Sequence, residues 1–258
     1  MPRGGHSRVK PPPFEYHAPT SVEEACVLLG SLEDAKVLAG GQSLVPLLNF
    51  RLARPAHIVD INRVSGMDAI HERDAGVAVQ ALARQADVED SDVVARVCPL
   101  LTAAVRLVAH RVIRNRGTVC GSLAHADPAS ELPAVLLALG GHVIARSVRG
   151  ERVIPAVELF RGVFETALAP DELLVEAWFP ATSGPFAVRE ESRRHGDFAI
   201  AGVVRAADRL ALFGVAATPV LADAGDPTRG LQPSGDLEGT PEFRLHLVRV
   251  LTEAVFAA

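Results

Sequence analysis

The stretch from Val37 to Leu44 reads Val-Leu-Ala-Gly-Gly-Gln-Ser-Leu. Its apolar start predicts a strand, the glycine pair predicts a tight turn, and the apolar residues after Ser43 predict a helix. Backbone N–H groups in such a turn suit an anion, and glycine lets a ligand approach closely. The stretch fits a phosphate cradle for a nucleotide cofactor. A plain strand–turn–helix connection is the alternative, and the stretch alone favours it.

The composition is that of an ordinary globular protein. The 258 residues are 48% hydrophobic and 22% charged, which is enough chain for two or three lobes. No apolar run approaches the roughly 20 residues that a membrane span needs. The basic, proline-rich Met1–Pro13 lacks the apolar segment of a secretory signal, so we expect a flexible lead-in and a cytoplasmic protein.

Charge and cysteine content exclude several classes of function. The net charge of −5 argues against a nucleic-acid binder, and the only lysines, Lys10 and Lys36, leave little scope for lysine chemistry. Cys26, Cys98 and Cys120 have no CxxC spacing, which indicates reduced thiols. They also exclude an iron–sulfur cluster or structural zinc site built from this chain's cysteines alone.

The first third of the chain predicts a small α/β lobe followed by a hairpin. Ser21 and Glu24 have capping-box spacing for a helix that ends at Gly30, and strands are expected at 36–39 and 57–61. A helix at about 43–50 lies between those strands. The hairpin spans about 67–83 and turns at 73–76.

The middle of the chain predicts helices and then strands. A largely helical stretch is expected from about Asp87 to Ile113, interrupted at Pro99, and the basic Arg111, Arg114 and Arg116 follow. We interpret this basic cluster as a solvated helix end, with a docking surface as the alternative. A loop of small residues is expected from 118 to 131, and the elements expected after it are a helix at 132–139 and strands at 142–145, 152–154 and 173–179.

The last part predicts strands, a long loop and a final helix. Strands are expected near 186–191, 199–206 and 210–217, and Gly, Pro and Asp fill the loop 223–239. Thr240 and Pro241 have the pattern of a helix start. The chain therefore predicts an α+β protein in three lobes without internal repeats.

Familiar catalytic motifs are absent, and the remaining candidates are weak. GxGxxG, GxxxxGK[ST] and GxSxG do not occur. His125 and Asp127 form an HxD pair, for which a loop histidine and a turn-capping aspartate are favoured over metal ligands. Ser43 and Ser122 are nucleophile candidates only beside a histidine base, and hydrogen bonding to phosphate or backbone is the favoured role.

Two segments of small residues could share one ligand. Ala39–Ser43 and Thr118–Ser122 both end in serine, and a pyrophosphate held between them would explain both. Glu131 could then accept hydrogen bonds from polyol hydroxyls. The residues alone leave this hypothesis and the purely structural one open.

Four motifs together carry a resemblance to a known family: Ala-Gly-Gly-Gln-Ser at 39–43, Asp-Ile at 60–61, Thr-Val-Cys-Gly-Ser-Leu-Ala-His-Ala-Asp-Pro at 118–128 with Glu131, and Arg-Arg-His-Gly-Asp-Phe-Ala-Ile at 193–200. In order and spacing they resemble the FAD-binding medium subunit of molybdenum hydroxylases. That family includes the medium subunit of aerobic carbon monoxide dehydrogenase and the flavin portion of xanthine dehydrogenase. The resemblance runs from about Phe14 to the C-terminus.

The resemblance implies an α+β protein with the vanillyl-alcohol-oxidase-type FAD-binding fold. It implies an N-terminal FAD lobe at 14–62, a second FAD lobe at 63–182 and a C-terminal lobe of small sheet and helix at 183–258. The C-terminal lobe is expected to be abbreviated, because a loop stands at 219–240 where the family carries more helical sequence.

The resemblance also implies the cofactor site. The two small-residue segments would hold the FAD pyrophosphate, Glu131 the polyol, and Leu174 and Arg189 would lie near the flavin ring. The expected cofactor-binding residues are Val37, Leu38, Ala39, Gly40, Gly41, Gln42, Ser43, Leu44, Thr118, Val119, Cys120, Gly121, Ser122, His125, Glu131, Leu174 and Arg189. No catalytic acid or base and no metal ligand are expected in this chain.

One position departs from the family pattern inside the site. Cys120 stands where the family has the first glycine of Thr-x-Gly-Gly. A side chain at a point of close backbone approach would weaken the contact with pyrophosphate. On this steric argument, replacing Cys120 by glycine is expected to tighten FAD binding.

By the same resemblance, the chain is the flavoprotein subunit of a molybdenum-dependent oxidoreductase hetero-oligomer. Substrate would be hydroxylated at a molybdenum–pterin cofactor in a large subunit, and electrons would pass through [2Fe–2S] clusters of a small subunit to FAD and on to an external acceptor. Two alternatives remain open. One is a free-standing flavoprotein oxidoreductase of the same fold. The other is a non-catalytic interaction subunit in which Cys120 has abolished FAD binding.

Overall fold

A computed structural model describes residues 11–257, so most of the predicted lead-in Met1–Pro13 lies outside the described residues. Within that range the chain forms sheets of three, five, four and two strands, with helices packed against them. None of the described helices combines the length and the apolar character that crossing a bilayer requires.

The first sheet is parallel and follows the predicted helix and strand pattern. Its elements are β1 (Glu15–His17), α1 (Val22–Ser31), β2 (Ala35–Leu38), α2 (Leu44–Asn49) and β3 (His57–Asp60), with strand order β1-β3-β2. Ser21 caps α1 as predicted, since its hydroxyl accepts a hydrogen bond from Glu24 N at 3.1 Å. The predicted capping box is wrong in its second half, because the Glu24 carboxylate accepts from Thr20 N. The short β1 was not predicted.

The hairpin and the helices that follow it supply much of the main core. The hairpin strands are β4 (Ile70–Arg73) and β5 (Gly76–Gln80). The stretch predicted as largely helical is four short helices, namely α3 (Gln85–Asp90), α4 (Asp92–Val97), α5 (Pro99–Val105) and α6 (Arg111–Arg114). Pro99 is the first residue of α5, where its missing N–H costs no helical hydrogen bond.

The predicted loop at 118–131 is wrong over its first half. Residues Val119–His125 form a helix, α7, because the hydroxyl of Thr118 accepts a hydrogen bond from Gly121 N at 3.0 Å and caps it. The next helix, α8 (Glu131–Leu139), is buried along most of its length. Gly140 ends it in the left-handed conformation, with φ at +74°.

The five-stranded sheet is antiparallel and gathers strands from two distant parts of the chain. Its strands are β6 (His142–Ser147), β7 (Gly150–Pro155) and β10 (Leu173–Pro180), together with the hairpin. Between β7 and β10 the chain forms α9 (Ala156–Leu159), β8 (Phe160–Gly162) and β9 (Glu165–Thr166). The strand order is β4-β5-β10-β6-β7, and β8 pairs separately with β9. α9, β8 and β9 were not predicted.

The C-terminal part is one sheet covered by one helix. Its elements are β11 (Phe186–Glu191), β12 (Ala201–Ala206), β13 (Arg209–Phe213), β14 (Val220–Ala222) and α10 (Pro241–Ala257). Thr240 caps α10 as predicted, through a hydrogen bond from Phe243 N at 3.2 Å. The predicted strands at 199–206 and 210–217 are shorter than expected, and β14 was not predicted.

Each face of the C-terminal sheet packs into a different apolar core. The main core includes α8 and one face of that sheet, represented by Val188, Val204 and Phe213. The second core lies between the other face and α10, and Val203 and Leu212 belong to it. Neighbouring residues of β11 therefore point towards different cores.

Candidate functional site

The two glycines in the turn after β2 are required for different physical reasons. Gly41 has a φ of +76°, a left-handed conformation that side chains disfavour. Gly40 has no room for a side chain, because a Cβ there would lie 2.3 Å from the carbonyl oxygen of Arg116. The turn is thus free of side chains at the point where another segment approaches it.

That second segment leads directly into α7. The same Cβ on Gly40 would lie 2.8 Å from the Cα of Gly117, the residue before the cap Thr118. The first small-residue segment, Ala39–Ser43, is therefore in contact with the two residues that precede the second one, Thr118–Ser122. Glycine at position 40 is what allows the two backbones to approach so closely.

Hydrogen bonds from the side chains of Asn62 and Arg84 also hold the glycine turn next to the segment before α7. Asn62 Nδ2 donates to the carbonyl oxygen of Ala39 at 2.8 Å. Arg84 donates through Nη2 to Asn62 Oδ1 at 2.7 Å and through Nη1 to the carbonyl oxygen of Arg116 at 2.9 Å. One guanidinium thus ties the glycine turn to the segment before α7. Sequence reasoning missed Asn62 and Arg84, since no local pattern marks them.

A cleft of ≈ 340 Å³ opens at the glycine turn. Its lining residues come from the turn, from α2, from the end of β3 and from the segment before α7: Leu38, Ala39, Gly40, Gly41, Gln42, Val45, Pro46, Asn49, Asp60, Asn62 and Arg116. A neighbouring cleft of ≈ 220 Å³ shares Asn62 and includes Arg84. Of the predicted residues, Leu38 to Gln42 line the larger cleft. Val37, Ser43, Leu44 and the segment Thr118–Ser122 line neither cleft.

Charges of both signs lie at the two clefts. Arg116 and the Asp60 carboxylate line the larger cleft, and Arg84 lines the smaller one together with Asp68 and Asp87. Burial lowers the pKa of the Arg84 guanidinium, and the nearby charge of Arg116 lowers it further, whereas the three carboxylates oppose this shift. The side-chain-free backbone of the glycine turn and the Arg116 guanidinium suit a diphosphate.

The prediction of a solvated basic cluster was wrong for one of its three members. Arg114 is 7% exposed, and its Nε donates to the Glu89 carboxylate at 2.9 Å. Arg111 and Arg116 are exposed as predicted. Arg111 forms ion pairs with Glu89 and Asp90, and Arg116 also lines the larger cleft.

The steric argument about Cys120 was also wrong. The thiol is buried and donates to the carbonyl oxygen of Val79 on β5 at 3.4 Å, so this side chain points into the main core. Burial raises the pKa of the thiol. Val119 is fully buried as well, and Gly121 N is already bonded to Thr118. The side chain of Cys120 leaves the cleft free.

Two carboxyl groups are buried between α8 and the C-terminal sheet. Glu131 begins α8 and is 8% exposed, and burial followed by the charge of Glu190 raises its pKa to about 8. Burial raises the pKa of Glu190 to about 7. Glu190 Oε2 is buried and has no hydrogen-bond partner among the described residues. This oxygen is free to accept a hydrogen bond from the hydroxyl of a water molecule or a ligand.

The structure places Arg189 away from these carboxyl groups. Arg189 pairs across β11 and β12 with Val203, which belongs to the core under α10. Glu190 pairs with Gly202, where a Cβ would lie 2.0 Å from the Phe213 ring in the main core. Directly opposed residues share a face, so Glu190 rather than Arg189 faces α8. The alternation of residues along β11 predicts that the strand has two different faces. It does not predict which of the two faces packs towards α8.

The other predicted positions are close to the core or to a turn. His125 stacks on Phe164 with ring centroids 4.9 Å apart, and burial lowers its pKa. Asp127 caps the following turn by accepting from Ala129 N at 2.9 Å, as predicted. Leu174 is buried in β10. Ser122 lies in the middle of α7.

The motif at 193–200 packs on the helical part of the chain. Gly196 has a φ of +87°, and a Cβ there would lie 2.7 Å from His110 Cε1. The His110 and His195 rings have centroids 5.7 Å apart. Arg194 Nε donates to Asp197 Oδ2 at 3.3 Å within the same turn. These contacts are structural and fasten the C-terminal sheet beside α6.

Comparison with protein families finds one match that covers most of the chain. Residues 12–182 match the family described as the FAD binding domain in molybdopterin dehydrogenase. The chain is 40% identical to the 6-hydroxypseudooxynicotine dehydrogenase complex subunit alpha of Paenarthrobacter nicotinovorans, over 96% of this chain and 95% of that protein. It is 39% identical to the carbon monoxide dehydrogenase medium chain of Hydrogenophaga pseudoflava, over 83% of this chain and 79% of that one.

Solved structures resemble the whole described fold. Carbon monoxide dehydrogenase from Hydrogenophaga pseudoflava superposes with a TM-score of 0.90 at 34% identity, covering 96% of this chain and 97% of that chain. Quinoline 2-oxidoreductase from Pseudomonas putida 86 superposes with a TM-score of 0.90 at 32% identity and the same coverage of both chains. The mixed helix and sheet architecture is therefore that of these dehydrogenase chains.

Proposed function

The chain belongs to the family of FAD-binding domains in molybdopterin dehydrogenases, and from this premise we propose that it relays electrons within a molybdenum hydroxylase. As a member of that family it is an FAD-binding oxidoreductase subunit. In the proposed assembly, electrons come from [2Fe–2S] clusters of a small partner subunit, and a large partner subunit carries the molybdenum–pterin cofactor. The electrons leave to an external acceptor such as NAD, a quinone or oxygen.

The observation that carries this proposal is the contact between Gly40 and the segment Arg116–Gly117. It brings together two turns that could hold a diphosphate from both sides, beside the guanidinium groups of Arg84 and Arg116. The donor set is backbone amide and guanidinium, which is the chemistry that phosphate oxygens require. The residues present therefore fit FAD.

We assign the residues of the chain to parts of that cofactor. Val37 to Leu44 and the segment Thr118–Ser122 would hold the pyrophosphate, mainly through backbone groups. Glu131 would accept from the polyol hydroxyls, and His125 and Leu174 would border the flavin. Glu190 replaces Arg189 in this assignment, because it lies on the face of β11 that meets α8.

Bound FAD supplies the exchange between single electrons and electron pairs, and the protein supplies position and electrostatics. The chain's own side chains then need no acid, base or nucleophile. Their role is to hold the diphosphate and to keep water away from the buried carboxyl groups. Burial raises the pKa of Glu131 to about 8, which favours its protonated form at neutral pH, and that of Glu190 to about 7, which places both of its forms within reach there.

The finer architecture belongs to the same proposal. We propose that the fold is of the vanillyl-alcohol-oxidase type, with FAD lobes at 14–62 and 63–182 and an abbreviated C-terminal lobe at 183–258. The separate sheets of residues 15–60, 70–180 and 186–222 support this division. We further propose a cytoplasmic hetero-oligomer.

Native purification from the source cells tests the function directly. A tagged copy of the chain should bring along two other subunits, and the preparation should contain FAD, iron and molybdenum. FAD without iron or molybdenum would instead support a free-standing flavoprotein oxidoreductase. A preparation that lacks flavin altogether would overturn the assignment of the site.

A further inference from the structure

Three side chains that can ligate metals converge at the edge of the first sheet. β1 and β3 run parallel, and Glu15 lies directly opposite His57. His17 lies two residues after Glu15 on β1, so both side chains are on the same face of that strand. Their ligand atoms all lie within 4.8 Å of one another.

The distances between these atoms match the edges of a metal coordination shell. His17 Nε2 and His57 Nδ1 are 3.2 Å apart, and His57 Nδ1 and Glu15 Oε2 are 3.4 Å apart. A tetrahedral ion with ligand bonds of about 2.0–2.1 Å places neighbouring ligands about 3.3 Å apart. Two of the three edges already have the length that such an ion requires.

Proton counting favours an ion over hydrogen bonds alone. His57 Nδ1 holds at most one proton, yet it faces both the His17 nitrogen and the Glu15 carboxylate. Either His57 Nδ1–H donates to one of these groups, or His17 Nε2–H donates to His57 Nδ1, and in each case one of the two contacts is left without a hydrogen bond. A cation accepts the lone pairs of all three groups, and the carboxylate offsets part of its charge.

The site is open to solvent on one side. The side chain of Glu15 is 74% exposed and that of His57 is 19% exposed, so an ion has a path of entry and water can complete its shell. Two imidazoles and one carboxylate suit borderline divalent ions such as Zn²⁺, Ni²⁺ or Cu²⁺ rather than Ca²⁺ or Mg²⁺.

We propose that Glu15, His17 and His57 bind one divalent transition-metal ion of the Zn²⁺ class, which clamps β1 to β3. β1 is a three-residue strand at the edge of its sheet, and a bond from Tyr16 OH to Asp60 Oδ2 at 2.6 Å fastens it as well. An ion on the other face would fix the strand from both sides. The site uses no residue assigned to FAD.

Calorimetric titration of the chelator-treated, FAD-loaded protein with ZnCl₂ tests the proposal. We expect one equivalent to bind and the unfolding temperature to rise with Zn²⁺ concentration, since an ion that binds only the folded state stabilises it. His57→Ala should weaken Zn²⁺ binding by more than about tenfold, because losing a ligand costs at least as much as losing one of its outer-shell partners.

His246→Ala is the matched control, because it removes an exposed imidazole on α10 that lies outside the cluster. It should bind Zn²⁺ like the parent protein. Glu15→Gln alters only an exposed side chain and should also weaken binding, which keeps the test valid if His57→Ala fails to fold. Equal titrations for Glu15→Gln, His246→Ala and the parent, or no binding at all, would overturn the proposal. Flavin absorbance should not change in any of these variants, so the outcome is separate from the proposed function.

Discussion

Gly40 is the residue on which the geometry of the site most directly depends. Its missing side chain is what lets the turn after β2 touch the carbonyl of Arg116. Neither partner could retreat cheaply, because the contact is between two backbones. The smallest substitution is therefore sufficient to test it.

Gly40→Ala should reduce FAD affinity by at least about tenfold, or ~1.4 kcal/mol, because the added Cβ separates the two turns. Flavin absorbance per protein after gel filtration measures the loss. Gly30→Ala is the control, since that glycine lies in α1 and its Cβ would meet only Val148 Cγ2 at 3.9 Å. The control should retain FAD, and full retention by Gly40→Ala would contradict the site.

Cys120→Gly should destabilise the protein and leave FAD affinity unimproved. The thiol fills part of the main core and lies within α7, where glycine costs about 1 kcal/mol more than alanine. The free energy of unfolding measured in urea should thus be lower for Cys120→Gly than for Cys120→Ala, and lower for Cys120→Ala than for the parent. Tighter FAD binding by the glycine variant would restore the steric argument that the structure overturns.

Glu131 should make the stability of the FAD-free protein fall as the pH rises. Its pKa is raised from 4.5 to about 8 in the folded state, so folding favours the protonated form. The stabilisation is complete below about pH 4.5 and is lost as the pH rises through about 8.

Urea unfolding of the FAD-free protein between pH 5 and 8 measures this effect. Glu131→Gln should flatten the decline, since an amide does not titrate. Glu253→Gln, which changes an exposed carboxylate on α10, should keep the decline of the parent. A parent whose stability is constant or rises over this range would contradict the raised pKa of Glu131.

At the scale of elements, the site depends on how β2, β3 and α7 are joined. Arg84 lies between the hairpin and α3 and bonds both to Asn62, after β3, and to the carbonyl of Arg116, before α7. No single element contains the cleft. Its shape is set by a side chain that reaches across two connections.

Arg84→Met should therefore weaken FAD binding by about 10- to 100-fold, because each bond from a charged group contributes about 1.5–3 kcal/mol. The methionine keeps the apolar stem while it removes the guanidinium. Recovery of flavin fluorescence on dilution measures the dissociation constant. Arg161→Met on β8 is the control, because this arginine is exposed and lines neither cleft; the variant should bind FAD like the parent.

The two faces of β11 show why an element's side chains need a tertiary context. Alternation alone predicts that Arg189 and Glu190 point in opposite directions. The choice of face follows from α8 packing on one side of the C-terminal sheet and α10 on the other. The basic residue expected near the flavin therefore lies on the α10 face.

At the scale of the whole molecule, one apolar core connects the three-stranded, five-stranded and four-stranded sheets. It runs from α1 through the five-stranded sheet and α8 to the inner face of the C-terminal sheet. The buried carboxyl groups of Glu131 and Glu190 lie where that core meets the C-terminal sheet. A ligand that formed hydrogen bonds with both carboxyl groups would also connect α8 to the C-terminal sheet.

Short-range signals let the sequence alone determine much of this protein. The glycine turn, the caps Ser21 and Thr240 and the hairpin at 73–76 depend on neighbouring residues, and all of them are present. The family resemblance, which rests on ordered motifs, is confirmed by the match over residues 12–182.

Only the tertiary structure decided which distant groups meet. It brought Gly40 to Arg116, turned Cys120 into the core and directed Glu190 rather than Arg189 towards α8. The physical reason is that a side chain's direction and a turn's partner are set by packing between segments far apart in the chain, and local patterns carry no record of that packing.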